Sequence, residues 1–289
     1  MKIVIIGAGN VGTNLHHALE LKGIKADLVH AREFMNSQLD DQAVNNTAVN
    51  IIIYTVADNA LEDVVAKVHA PKALHIHTSG TMPIDVFGDD KPHAGVLYFF
   101  QSFSKSHLID DWSGIPCFYE GRDIDDVSAI YSLAQCLTNR IYEADRHDRE
   151  RLHIAGVFAN NYTNLMYRMA AEVLKDTHIP FEALLPLIDQ TAAKVHSMSP
   201  KEAQTGPAVR GDGEVILHHS EILNQMDDRE FFASDLEYVY INMAHIILNA
   251  QKPQEEQVSI SEILGKALEE SNGTEQNRPT LARRRRRRL

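Results

Sequence analysis

The chain has 289 residues, 44% of them hydrophobic, enough for two domains of ordinary size, each with its own core. Its formal net charge of −12 hides an asymmetry: residues 271–289 carry seven arginines against one glutamate, a net of +6, which leaves −18 on residues 1–270. A body that acidic repels phosphate backbones and argues against a nucleic-acid partner, while no apolar run approaches the ~20 residues that span a bilayer, which argues against a membrane.

The first residues read as a strand and not as a charged stretch followed by an apolar h-region, which speaks against export. Cys117 and Cys136 form neither a CxxC nor a metal spacing, so a reducing, cytoplasmic setting is expected.

Lys2-Ile-Val-Ile-Ile6 runs straight into Gly7-Ala8-Gly9-Asn10-Val11-Gly12. Gly7 permits a tight exit from the strand, Gly9 lets backbone approach a pyrophosphate, and Gly12 lets the next helix lie close on the sheet, with the helix amides facing phosphate. Val11, Leu15, Ala18 and Leu19 then make the apolar stripe of a helix on a sheet, and Gly23 ends it. A second strand spans Ala26–His30. NAD sites place an acid about 20 residues after the glycines, but here Asp27 comes too early and His30 and Arg32 follow. A guanidinium at Arg32 suits a ribose 2′-phosphate, so the expected cofactor is NADP, in its reduced form NADPH. A solvated loop cation is the plain alternative.

Asn50–Val56 reads as a buried strand that delivers Thr55, Val56 and Ala57 to the cofactor and Asp58 as the cap of a helix carrying Leu61, Val64, Val65 and Val68. Ala73–Thr78 is the next strand and places His77, Ser79 and Gly80 on the same rim, where a His and a Ser could serve a carbonyl or imine being reduced, a purely structural His77 being the alternative. His75 and His77 share a strand face, but no third ligand stands at a telling spacing, so no metal is assigned. Further strands are expected at Gly95–Phe100, Pro116–Glu120 and Arg140–Glu143, which with intervening helices predict a doubly wound parallel sheet.

After Asp145 the strands stop. Ala155, Phe158, Ala159, Tyr162, Leu165, Met166, Met169, Ala170 and Val173 keep a helical period suited to a helical domain or dimer interface, and helices are expected at about 181–194, 213–225 and 234–249. Between them Ala203–Glu214 is punctuated by Gly206, Pro207, Gly211 and Gly213 as a shaped loop, with Arg210 able to hold an anion and Asp212 able to cap a helix. An elaborate helix connection with an Arg–Asp pair is the alternative there. The stretch from Ser271 to the Arg283–Arg288 run lacks periodicity and reads as a disordered tail.

Taken together, Gly7–Gly12, His77-Thr-Ser-Gly80, Phe100-Gln-Ser-Phe103, Ala159-Asn-Asn161 and Thr205-Gly-Pro-Ala-Val-Arg-Gly-Asp212 resemble the Rossmann-like proteins with a C-terminal domain of unknown function 2520, a family provisionally assigned as NADP oxidoreductases. The resemblance covers about residues 1–265. It implies an architecture like that of 6-phosphogluconate dehydrogenase: an α/β, doubly wound Rossmann domain over 1–149, an all-α substrate and dimerisation domain over 150–266, and the tail over 267–289. Its patterns place a His-x-Ser-Gly at His77–Gly80, an Asn at Asn161 and a Thr-Gly-Pro loop at Thr205–Pro207; of these, His77, Ser79 and Asn161 are expected to be catalytic, and Gly80, Thr205, Gly206 and Pro207, with Arg210, to bind substrate. One departure stands out: the family commonly has a Pro, often after His, before Gln101, whereas this chain reads Leu97-Tyr-Phe-Phe-Gln101. The leading expectation is a homodimeric reductase of a small carbonyl or imine. Its rival is an NADP-binding or nucleotide-binding sensor that acts through the helical domain, motivated by the lack of an evident catalytic Lys in these motifs.

Overall fold

The computed structural model describes residues 2–36, 44, 49–226, 233–253, 256–259 and 262. The tail expected over 267–289 lies outside the described residues. The chain divides into two units, Met1–Asn160 and Asn161–Leu289.

In the first unit the seven strand signals become β1 (Ile3–Ile6), β2 (Ala26–Val29), β3 (Ile51–Tyr54), β4 (Leu74–His77), β5 (Ala94–Phe99), β6 (Cys117–Gly121) and β7 (Ile141–Glu143). They form one sheet of order β2-β1-β3-β4-β5-β6-β7. Strands β1 to β5 are parallel. The expected doubly wound parallel sheet forms, with one departure at its far side: β6 runs antiparallel to β5, and β7 parallel to β6. The reason lies between β5 and β6, where no helix forms to carry the chain back to a parallel start. That connection instead folds against the sheet as irregular chain. Its buried Trp112 stacks on Phe103 at 5.0 Å and meets Phe99 edge-on at 4.8 Å, filling space a crossover helix would occupy.

Helices α1 (Asn10–Leu21), α2 (Ala31–Asn36), α3 (Asp58–Lys67), α4 (Ile124–Gln135) and α5 (Arg146–Gly156) complete the unit. Because side chains alternate along a strand, Ile3, Ile5 and Ile53 face α1, α4 and Trp112, while Val4, Ile6 and Ile52 face α2, α3 and the short helix Ile84–Phe87. Both faces of β1 and β3 are therefore dry, as their unbroken apolar composition requires.

A π turn, Val157–Tyr162, follows α5. The second unit then holds α6 (Thr163–Leu174), α7 (Leu185–Lys194) preceded by a tight turn at Phe181–Leu184, the single turns α8 (Pro200–Ala203) and α9 (Pro207–Arg210), α10 (Gly213–Asn224) and α11 (Ala233–Ala250). α9 and α11 contact α10 around a small cluster of Ala208, Ile216 and Ala244. Among the described residues no helix is long and apolar enough to cross a membrane. Cys117 is buried and Cys136 exposed, both as free thiols.

Candidate functional site

The glycine loop is held by close backbone approach. Gly7 takes φ +121°, and a Cβ on it would lie 2.8 Å from the Thr55 carbonyl. A Cβ on Gly12 would lie 1.9 Å from the Gly7 oxygen and 2.4 Å from Thr55 Oγ1, so neither position accepts a side chain. Gly9 is different: its Cβ would meet only the Thr55 oxygen, at 3.7 Å, an ordinary contact. The space in front of Gly9 is open.

Thr55 is buried, and its hydroxyl donates to the Gly7 carbonyl at 2.6 Å. It therefore shapes the loop from behind, while Val56 and Ala57 are progressively more exposed on the rim. No side chain caps α1, and its first turn contains no acid, so the amides of Asn10, Val11 and Gly12 begin the helix with its positive end uncompensated. Ala8 is partly exposed beside them.

A buried residue that the sequence reading passed over braces this corner. Asn14 is fully buried, donates to the Asn10 and Ser104 carbonyls at 2.9 Å each, and accepts from the Ile109 amide at 3.1 Å. The Lys105 amide in turn donates to Asn10 Oδ1 at 3.2 Å. Segment 104–109 is thus strapped across the first turn of α1. The available signal was a polar residue beside Leu15 on an otherwise apolar helix face. Arg32 is exposed in the first turn of α2, directly beyond β2, and has no partner among the described residues.

Along the same edge, Ile6, Tyr54, His77 and Val96 form one row of paired residues across β1, β3, β4 and β5. Residues just beyond this row make the rim. Order reverses between β2 and β3 on either side of β1, which is where open α/β sheets bind ligands.

His77 is not on the exposed rim. It is fully buried, stacks on Phe87 at 5.7 Å, and its Nδ1 accepts the Ser79 amide at 3.2 Å. Burial first, then the nearby Arg149 charge, lower its pKa to about 4, with the Pro83 carbonyl and Asp58 opposing. That carbonyl does not close a hydrogen bond to Nε2, which is left without a partner. A neutral, enclosed ring fits an orienting role and not that of proton donor. His75 is likewise internal, between the Tyr54 hydroxyl at 2.8 Å and the Ala70 carbonyl at 2.9 Å.

Ser79 is also engaged: Oγ accepts the amides of Thr81 at 3.1 Å and Met82 at 3.0 Å, closing the turn. Thr81 donates to Asp58 Oδ2 at 2.6 Å, which corrects the capping role expected of Asp58; Ala57 is the cap position of α3 and Asp58 the first helical residue. Gly80 lies against Tyr98, where a Cβ would come within 2.8 Å of Cζ and 3.1 Å of the phenol oxygen. The Tyr98 hydroxyl meets His153 Nδ1 at 3.2 Å. Arg149, fully buried on α5, ties this region together by bonds to Glu120, to the Ala144 carbonyl at 3.0 Å and to the Met82 carbonyl at 3.2 Å. Its run of charged neighbours gave no hint of burial.

In the second unit Asn161 is exposed within the π turn, an element common at functional sites. Thr205 is exposed, Gly206 takes φ +120° ahead of Pro207 at the start of α9, and Gly211 takes φ +72° after it. Asp212 occupies the cap position of α10, but its side chain does not cap. It binds Arg210 instead, through Nε at 2.8 Å and a terminal nitrogen at 2.7 Å. This is the Arg–Asp pair of the plainer reading, and it leaves part of an exposed guanidinium for other contacts.

Among the described residues one cluster, His93, Asp123 and Asp126, has metal-like proximity. Asp123 caps α4 and Asp126 accepts the Ala94 amide, so both acids already serve the fold.

The family of domain of unknown function 2520 matches residues 115–247. A search of the curated proteins finds no match. Among solved structures, a provisionally named NADP oxidoreductase from Bacteroides fragilis is 35% identical, with a TM-score of 0.71 over 86% of this chain and 97% of its own. A protein from Thermotoga maritima is 14% identical, with a TM-score of 0.62 over 86% and 98%. An imine reductase from Myxococcus stipitatus, solved with NADP+, is 14% identical, with a TM-score of 0.61 over 93% and 100%. The latter two bear on the fold alone. With 35% identity across 97% of the Bacteroides protein and the domain match at its C-terminal side, this chain belongs to the family of Rossmann-like proteins with domain of unknown function 2520.

Proposed function

We propose that the protein is an NADPH-dependent reductase of a small carbonyl or imine compound. The observation that carries this reading is the uncapped start of α1 opening in front of Gly9, with the unpaired Arg32 just beyond β2. Gly9, Asn10 and Val11 hold the diphosphate through backbone amides, Arg32 pairs with the 2′-phosphate, and Val56 and Ala57 line the rim beside the ribose. The bound dinucleotide supplies the hydride; the protein supplies binding, orientation and charge.

His77 holds the 77–80 turn in place through the Ser79 amide, so its part is positioning. Asn161 and the Thr205–Arg210 loop are assigned to substrate, with the exposed donors of Arg210 suited to an anionic group. The helical unit is the contact surface for a second copy: an open apolar groove of about 560 Å³ is lined by Met166, Met169, Val173, Leu223, Val239 and Met243 among others.

Calorimetric titration with NADPH and NADH in parallel tests the reading. NADPH binds the wild type, and Arg32→Ala loses about 1.5–3 kcal/mol of NADPH affinity with NADH affinity unchanged. Failure to bind either dinucleotide sinks it. The engagement of Ser79 and burial of His77 favour one other reading, a sensor that saturates with NADPH without consuming it; steady NADPH oxidation excludes that.

A further inference from the structure

Reduction of a carbonyl or imine needs a proton as well as a hydride, and the residues expected to give it are spent. His77 is enclosed and its Nδ1 is used as an acceptor. Ser79 Oγ closes a turn, its hydroxyl lies 3.4 Å from that of Thr81, and Thr81 donates onward to Asp58. Thr78 Oγ1 donates to the Tyr54 carbonyl and Thr55 Oγ1 to that of Gly7.

The Tyr98 hydroxyl, on the same edge, stands outside such internal turns. Tyr98 stands two residues past Val96, the β5 partner of His77, which puts it level with Ser79 on the rim. The outer end of its ring lies against Gly80, where a Cβ would come within 2.8 Å of Cζ, so a side chain at residue 80 would displace the phenol. The glycine loop on β1 is three strand spacings from β5, on the order of 14 Å, so a dinucleotide whose diphosphate sits at Gly9 extends its nicotinamide end toward this part of the rim. Burial, and secondarily the Asp58 charge, push the phenol up to about 12, so it keeps its proton at neutral pH. Tyr98 is half-buried, whereas its partner His153 is exposed on α5.

We propose that Tyr98 is the proton donor of the reaction and that His153 connects it to solvent. The proposal rests on the reductase reading above and deepens it. Hydride from the reduced nicotinamide adds to the substrate carbon, leaving the nicotinamide oxidised. The electron pair of the C=O or C=N bond moves onto oxygen or nitrogen, which takes the Tyr98 hydroxyl proton. Tyr98 Oη regains a proton from His153 Nδ1, and His153 Nε2 takes one from water. The net transfer is one hydride from the dinucleotide and one proton from solvent. The sequence departure at Leu97-Tyr-Phe-Phe-Gln101 is then the segment that delivers the donor.

The test uses the full-length protein, NADPH, and a panel of 2-methyl-1-pyrroline, cyclohexanone and benzaldehyde. Tyr98→Phe keeps the ring against Gly80 and edge-on to Phe100, whose centroid is 6.0 Å away; it is expected to bind NADPH as the wild type does and to lose about a hundredfold or more in kcat. His153→Ala is expected to lose turnover that added imidazole restores, a rescue that a merely structural histidine would not show. Wild-type turnover retained in Tyr98→Phe overturns the proposal while leaving the reductase reading intact. NADPH binding with no oxidation by the wild type across the panel overturns that reading and the donor role with it.

Discussion

In the first unit, both faces of the sheet are closed by chain of the same unit: Leu15, Leu19, Ile130 and Trp112 on one side, Phe34, Leu61, Val64 and Phe87 on the other. In the second, among the described residues, α10 and its neighbours enclose Ala208, Ile216 and Ala244 as a small cluster, while Leu187, Tyr238 and Ile246 stand more than 60% exposed. A helix has one apolar stripe and a sheet two apolar faces, so layers of helix on sheet satisfy each other within one chain, whereas this set of helices leaves stripes uncovered. The contrast teaches where each part of the proposed function resides. On the proposed function, the first unit would hold the dinucleotide and the second would be covered by a second copy.

The comparison breaks hardest at Arg149. Replacing it by Leu strands Glu120 and the carbonyls of Met82 and Ala144, and is expected to cost about 3–5 kcal/mol, read as a large fall in the first unit's denaturation midpoint. A small change there would mean that the unit is not held as described.

Acid is the next lever. His75 and His77 both have folded pKa values lowered to about 4, mainly by burial. The unfolded chain therefore binds more protons than the folded one between the ordinary histidine value and about 4. Stability is full above that window and falls as pH drops through it, by about 2–3 kcal/mol for each histidine on reaching about pH 4.5. Urea titrations at neutral and acid pH measure this, and a flat profile would show that the two rings are not buried neutral groups.

Gly12→Ala sharpens the comparison locally. Its Cβ would meet the Gly7 oxygen at 1.9 Å, which costs about 1–3 kcal/mol of stability and displaces the loop, so NADPH affinity falls with it. The mildest change is in the helical unit: Met243→Glu, on the groove, is expected to leave the first unit's midpoint within about 0.5 kcal/mol while converting a dimer to a monomer in sedimentation. A wild-type monomer would remove the covering partner from the argument.

Much of the fold was legible because its signals are local. The strand of Ile3–Ile6, the glycines, and the stripe of Leu15, Ala18 and Leu19 each act within a few residues, and all form as expected. Gly7 and Gly12 were readable because steric exclusion by a neighbouring backbone admits one residue type. Arg32 was readable as a position, directly beyond β2.

The rest depended on groups far apart in sequence. That β6 turns antiparallel follows from what residues 100–116 fail to form and from Trp112 finding Phe99 and Phe103. Asn14 acquires meaning only when Ser104 and Ile109 arrive 90 and 95 residues later in the chain. His77 and Ser79 looked reactive by type, and tertiary burial and turn closure used them up. Tyr98 and His153, separated by 55 residues, form a pair only because β5 ends beside α5. By itself the sequence determined the order of elements, the glycine loop and the cation after β2, since periodicity and backbone sterics are written residue by residue. The tertiary structure alone decided which polar groups are spent on the fold and which are left to act, because solvent access and hydrogen-bond partners exist only once distant segments meet.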